Sequence, residues 1–171
     1  MANDRTAFEQ VVARLKSKLG DAGISTGVFR DNFRVFVDAG RLEPTLTALK
    51  ADGFDMLSDI SAADYLRYPD AKDRYGVWYI LVNTTTAQRL IVKTFVNDPE
   101  PSLPSVYHLW RGCDWMEREV YDMYGVVFDG HPDMRRILLP DEFTSFPLRK
   151  DYPMRGKGER HNFQSLTRAD S

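Results

Sequence analysis

Two nine-residue runs, Tyr75–Asn83 (YGVWYILVN) and Gln88–Val96 (QRLIVKTFV), constrain this chain more than anything else in it. Both are dense in β-branched and aromatic residues, which fit a pleated, half-buried surface. The link between them, Thr84-Thr85-Thr86-Ala87, is polar and short enough for a hairpin. A chain with such a hairpin must build a sheet and must cover at least one face of it.

The rest of the N-terminal body supplies the cover. Asp4–Leu19 places Phe8, Val11, Val12, Leu15 and Leu19 on one helical stripe, with Gly20 where the helix would stop. Ile24–Phe29 and Asn32–Asp38 read as short strands around Arg30-Asp31. Pro44 suits the first position of a short helix in which Leu46 and Leu49 face inward and which Gly53 ends. Phe54–Ile60 reads as a further strand. Ser105 would cap a helix running to about Tyr124, with Val106, Leu109, Trp110, Cys113, Met116 and Val120 along one face. The expected fold class is α+β: a mainly antiparallel sheet packed with helices.

Past Gly125 the pattern changes. From Pro140 on there is no sustained period of either kind, and Pro140, Pro147 and Pro153 recur with basic residues between them. Some thirty residues without regular structure are unusual inside a compact domain. Yet Ile137, Leu138, Leu139, Phe143, Phe146 and Leu148 make the stretch too apolar for a solvated tail, and Tyr152 and Phe163 add to this. The expected organisation is an α+β domain over 1–125 and an extended segment over 126–171 that docks on a partner.

Composition narrows the function. Net charge is −2, so no general basic field draws in nucleic acid. The one cysteine, Cys113, cannot form an internal disulfide or hold an iron–sulfur cluster, which needs four ligands. The expectation is an intracellular chain and a small buried hydrophobe on a helix face. No apolar run approaches the roughly 18–20 residues that span a bilayer, so any membrane contact would come through other chains.

The stretch Trp115–Pro153 holds the groups with chemical potential. Glu117, Glu119 and Asp122 are clustered acids, the last two sharing a helix face. One reading is acid–base work or a metal site with His131. The favoured one is a solvated or partner-facing helix in which Arg118 pairs with Asp122. His131, between Gly130 and Pro132, reads as a turn residue bonding locally or across an interface. Arg135-Arg136 and Arg149-Lys150 have no glycine-rich loop before them, so ion pairing in a protein interface fits them better than nucleotide binding.

The same residues carry a resemblance. EREVYDMYGVVFDGHPDMRRILLPDEF followed by PLRKDYP closely resembles the signature of the 30-kDa subunit family of respiratory complex I, the NADH-quinone oxidoreductase. The matching positions include Glu117-Arg118-Glu119, Asp122, Gly125, Gly130-His131-Pro132, Arg135-Arg136 and Pro147-Leu148-Arg149-Lys150-Asp151-Tyr152-Pro153. Phe143 stands where the family usually has Trp, and Ser145-Phe146 where Gly and His are common.

The resemblance implies a non-catalytic, structural subunit of a proton-translocating NADH:quinone oxidoreductase. Such a subunit is peripheral, on the cytoplasmic face of the bacterial inner membrane. It implies no cofactor bound by this chain, with NADH, FMN, iron–sulfur clusters and quinone in the parent complex. It implies partners in the peripheral arm, above all the 49-kDa-type subunit that forms the quinone site. Glu117, Arg118, Glu119, Asp122, His131, Arg135 and Arg136 would form one contact patch. Pro147, Arg149, Lys150, Asp151 and Tyr152 would belong to a docking strap. The alternative is the equivalent subunit of a membrane-bound hydrogenase or a ferredoxin-linked complex.

Overall fold

The computed structural model describes residues 5–30 and 32–159. In chain order it comprises α1 (Arg5–Leu19), β1 (Ile24–Phe29), β2 (Asn32–Val37), a 3-10 turn (Ala39–Arg41), α2 (Leu42–Ala51), β3 (Met56–Asp64), β4 (Tyr75–Asn83), β5 (Gln88–Val96), β6 (Ser102–Pro104), α3 (Cys113–Tyr124) and β7 (Val127–Asp129). The fold is α+β, as expected.

Five strands form one sheet in the order β1-β2-β5-β4-β3. Every neighbouring pair is antiparallel except β2 with β5, which is parallel. The β4–β5 hairpin closes from Asn83↔Gln88 outward. Asn83 Oδ1 accepts the Thr85 and Thr86 amides, so the polar link folds back on its own strand end.

The strands alternate sharply. On β2, Phe33, Val35 and Val37 are buried while Asn32, Arg34 and Phe36 are half-buried. The buried face receives the helices. Phe8 of α1 stacks on Phe33 at 4.6 Å, Leu42, Leu46 and Leu49 of α2 enter the same core, and α3 packs on β3. Fully burying each such side chain stabilises the fold by about 1.5–3 kcal/mol.

Several boundaries differ from the sequence reading. β3 runs to Asp64 rather than Ile60. Pro44 is the third residue of α2, still in the first turn, where a missing N–H costs little. The helix expected from Ser105 begins at Cys113. Residues 105–112 instead form turns, because the Glu117 carboxylate accepts the Val106 amide at 2.8 Å and the Ser105 hydroxyl at 2.7 Å. Those bonds hold 105–106 beside the helix rather than on its axis. The apolar face is kept nonetheless: Val106, Trp110, Cys113 and Val120 are all buried.

The segment after Gly125 does not leave the body. Val126 and Phe128 join the core, and β7 pairs in parallel with β6. The core thus extends past residue 125. From there to Glu159 the chain lies along the domain. Arg160, His161, Phe163 and Arg168 fall outside the described residues.

Candidate functional site: a clamped C-terminal strap

α3 is the post to which the strap is tied. Its last turn ends at Gly125, whose φ of 76° is left-handed. A Cβ there would stand 2.5 Å from Arg149 Nη2 and 2.6 Å from the Phe146 ring. Only glycine lets the returning strap come this close. Arg149 Nε then donates to the Tyr124 carbonyl at 2.6 Å, one of the carbonyls that a helix end leaves unpaired. The Leu148 amide donates to Met123 O at 3.1 Å. The Arg149 guanidinium lies over the Phe146 and Tyr75 rings.

Asp122 is the centre of the clamp. Its Oδ2 accepts three consecutive amides, Ile137, Leu138 and Leu139, at 3.1, 2.8 and 2.9 Å. Its Oδ1 accepts Arg136 Nη1 at 2.6 Å. The side chain is fully buried. Burial pushes the carboxyl up, but the Leu139 amide, the Arg136 guanidinium and the Leu138 and Ile137 amides together outweigh it. The carboxyl is held below the ordinary aspartate range. Arg136 also donates to Ser145 O at 3.1 Å, and Arg118 donates to the Arg135 and Arg136 carbonyls at 3.1 Å each.

The far end is tied to the sheet. Asp64 closes β3, and its Oδ2 accepts the Lys150 amide at 2.8 Å and Arg74 Nη2 at 3.2 Å. Arg74 also pairs with Asp151 at 2.8 Å and holds that carboxyl below its ordinary range. Glu159 gathers the end of the segment, accepting Ser145 Oγ, the Tyr152 hydroxyl and the Lys157 amide at 2.7–3.0 Å.

A second cluster sits at the other end of α3. His131 Nδ1 accepts the Asp133 amide at 3.0 Å, so Nε2 carries the proton and donates to Asp114 O at 3.2 Å. Glu117 Oε2 is 3.9 Å from that nitrogen. Burial pushes the Glu117 carboxyl up; the Val106 amide and the Ser105 hydroxyl offset only part of this. Burial likewise pushes the Cys113 thiol up. An elevated, enclosed thiol is a poor nucleophile.

These positions revise the sequence reading residue by residue. Glu117 and Asp122 are fully buried, so neither can offer its carboxylate to a partner; their bonding capacity is spent inside the chain. Arg118 bonds strap carbonyls and lies 3.9 Å from Asp114, while Asp122 pairs with Arg136 instead. Glu119 is exposed, Asp122 is buried against the strap and His131 bonds Asp114 at the other end of α3, so Glu119, Asp122 and His131 do not converge as acid–base catalysis would need. Among the described residues, no group of three His, Cys, Asp or Glu side chains could hold a metal. Arg135 is exposed and paired with Asp133 at 2.9 Å. Pro147 and Tyr152 are half-buried, and Lys150 is exposed and anchored through its amide.

Sequence reasoning missed Asp64, Arg74 and Glu159, because a lone charge at a strand end carries no local signal of its distant partner. Trp115 on α3 is 69% exposed, and Val127 on β7 and Leu138 and Leu148 on the strap itself are exposed.

Comparison with known proteins agrees with this architecture. Residues 35–158 match the family described as respiratory-chain NADH dehydrogenase, 30 Kd subunit. NADH-quinone oxidoreductase subunit 5 of Thermus thermophilus is 42% identical over 129 residues, covering 72% of this chain and 62% of that protein. The corresponding NADH-quinone oxidoreductase protein of a Roseiflexus species is 36% identical over 147 residues, covering 84% and 83%. The chain therefore spans about three fifths of the Thermus relative's length. A solved trypsin-resistant fragment of Nqo5 superposes with a TM-score of 0.66 at 36% identity, over 73% of this chain and 97% of the fragment. The solved structure of an archaeal membrane-bound sulfane sulfur reductase superposes a chain with a TM-score of 0.73 at 25% identity, over 94% and 93%. With a family match that runs from β2 through the clamped strap, the chain belongs to the 30-kDa subunit family of the respiratory-chain NADH dehydrogenase.

Proposed function

We propose that this chain is a non-catalytic structural subunit in the peripheral arm of a proton-translocating NADH:quinone oxidoreductase, on the cytoplasmic side of the membrane. The observation that carries the reading is the strap. It is tied to the body by buried carboxylates, yet it leaves Leu138, Leu148 and Met154 exposed, and Trp115 on α3 and Val127 on β7 are exposed as well. Exposed aromatic and aliphatic side chains beside arginines are the composition of an interface core. A strap held to the body by hydrogen bonds that still exposes apolar side chains suits a fixed contact with a neighbouring protein, and we assign that neighbour as the 49-kDa-type subunit, which carries the quinone site.

The residues do not fit an iron–sulfur cluster, since the single cysteine is buried and a cluster needs four ligands. NADH, FMN, clusters and quinone would belong to other subunits. No described helix is long and apolar enough to cross a membrane, so membrane contact through the assembly fits this chain. The role is mechanical: to hold neighbouring subunits so that electron-transfer distances and the quinone cavity stay fixed.

The likeness to the sulfane sulfur reductase supports a second reading, an equivalent subunit in a related complex with another electron donor. One purification tests both. The tagged chain is isolated from its host under mild detergent, with mass spectrometry, iron analysis and NADH:quinone activity. An iron-rich assembly with a quinone-site chain of the 49-kDa type and NADH-oxidising subunits is the expected result. A hydrogenase- or ferredoxin-type input module would favour the second reading. A lone, iron-free chain would overturn both.

A further inference from the structure

The sheet has two faces, and the helices cover only one. The other face is built from the alternate positions of the same strands. Phe36 on β2, Trp78, Ile80 and Val82 on β4, and Ile91 and Phe95 on β5 stand there, each half-buried. A solvent-facing side of a mainly antiparallel sheet ordinarily carries polar residues at such positions. From the strand spacing and rise, these residues span about 10 Å across three strand axes and about 20 Å along them. Among the described residues nothing covers its centre; Tyr65, from the loop after β3, reaches only one end.

Cations outnumber acids among the described residues of this face. Arg89 and Lys93 lie on the central strand β5, and Arg34 lies beside Ile91 on β2. Asp59 on β3 is the acid within the face, and Asp38 borders it just past β2. The chain as a whole carries −2, so the face is opposite in sign to the molecule that bears it. Lys93 Nζ is held in place by the Tyr65 hydroxyl at 2.6 Å and by the rings of Tyr65, Phe95 and Trp78 at 4.5, 4.8 and 5.6 Å. The Arg34 guanidinium lies 5.0 Å over the Phe29 ring. Ring stacking orients both cations while leaving their charge without a carboxylate among the described residues.

We infer that the helix-free face of the sheet is a second protein-docking surface, whose occupant is an acidic surface of another polypeptide that sets carboxylates against Arg34 and Lys93 and apolar side chains against Trp78, Ile80 and Ile91. A second copy of this chain is a poor occupant, because a two-fold contact turns the same patch toward itself, and a patch on which cations outnumber acids repels its own copy. A membrane is also a poor fit. Its apolar interior would meet Lys93 and Arg34 in the middle of the patch, whereas lipid-binding surfaces keep cations on a polar face. This surface is separate from the strap, and the inference holds whichever redox complex the chain joins.

The test places a benzophenone photo-crosslinker at Ile80 of the full chain in its host and maps the adduct after irradiation. The expected product joins Ile80 to a protein segment rich in Asp and Glu. The Arg34→Glu/Lys93→Glu variant should lower its yield at least about tenfold, and replacing the mapped carboxylates by Lys should restore it. Arg34→Gln/Lys93→Gln, which keeps the side-chain bulk, should give an intermediate yield; it stands in if the reversed variant fails to fold. Loss without rescue, an adduct indifferent to charge, an adduct with a second copy of the chain, an adduct with lipid, or no adduct would each overturn the inference.

Discussion

Asp122 and Arg136 meet at 2.6 Å inside the chain's own body, and the same carboxylate holds three successive amides of the strap. This one side chain fixes the course of residues 136–139. Removing its charge strands a half-buried guanidinium. Asp122→Asn is therefore expected to lower stability by about 3–5 kcal/mol. Urea unfolding of the variant measures it, and a loss under about 1 kcal/mol would show the clamp to be incidental.

The clamp also predicts an acid limb. Asp122 and Asp151 are held below their ordinary value of 3.8, so each binds protons more weakly folded than unfolded. Their stabilisation is complete above that value and is lost as pH falls through the lower folded one. The stability gap between wild type and Asp122→Asn should narrow as the medium is acidified through that range. A gap constant from pH 6 to the acid transition would contradict this account.

Glu117 has the opposite sign. Its carboxyl is raised above 4.5, so it binds a proton more tightly folded than unfolded. That contribution is present below 4.5 and is lost as pH rises through the folded value. Glu117→Gln removes the titration while keeping an acceptor for the Val106 amide. Relative to wild type, the variant should gain in melting temperature as pH rises from 4 to 8. Parallel curves would mean that Glu117 does not titrate in this range.

Gly125→Ala tests the strap's approach to α3. The left-handed backbone costs an L-residue about 1–2 kcal/mol. The new Cβ would also displace Arg149 and Phe146, which stand 2.5 and 2.6 Å from it. Limited trypsin digestion should then cut after Arg149 faster than in wild type, with the body intact. An unchanged digestion pattern would argue against the packed strap.

Arg149 and Lys150, adjacent in sequence, should behave differently. Arg149 bonds a helix-end carbonyl with its side chain, whereas Lys150 is held by its amide. Arg149→Ala should cost about 1.5–3 kcal/mol, as for a hydrogen bond from a charged group, while Lys150→Ala should change stability by less than about 0.5 kcal/mol. If the outer side of the strap docks on a neighbouring protein, Lys150→Ala should instead lower the yield of assembled complex. Denaturant midpoints and native-gel yields separate the two.

The sequence by itself determined the α+β class, the hairpin of β4 and β5 and the inward stripe of α1. These follow from local periodicity, which the chain displays wherever it folds. It also carried the family signature around Asp122, Arg136 and Arg149. What only the tertiary structure decided is where those charges go. Arg118 and Asp122 stand four apart and read as a surface pair. Burial sends Asp122 to Arg136 and to the amides at 137–139, and Arg118 to the carbonyls of 135 and 136. Pairing across Asp64 and Lys150 spans 86 residues, and no local pattern encodes a contact so distant. The helix expected from Ser105 failed for the same reason: the buried Glu117 carboxylate needs donors, and the nearest are those of Ser105 and Val106. A buried charge must find its partners wherever the fold brings them, and that requirement overrides helix periodicity.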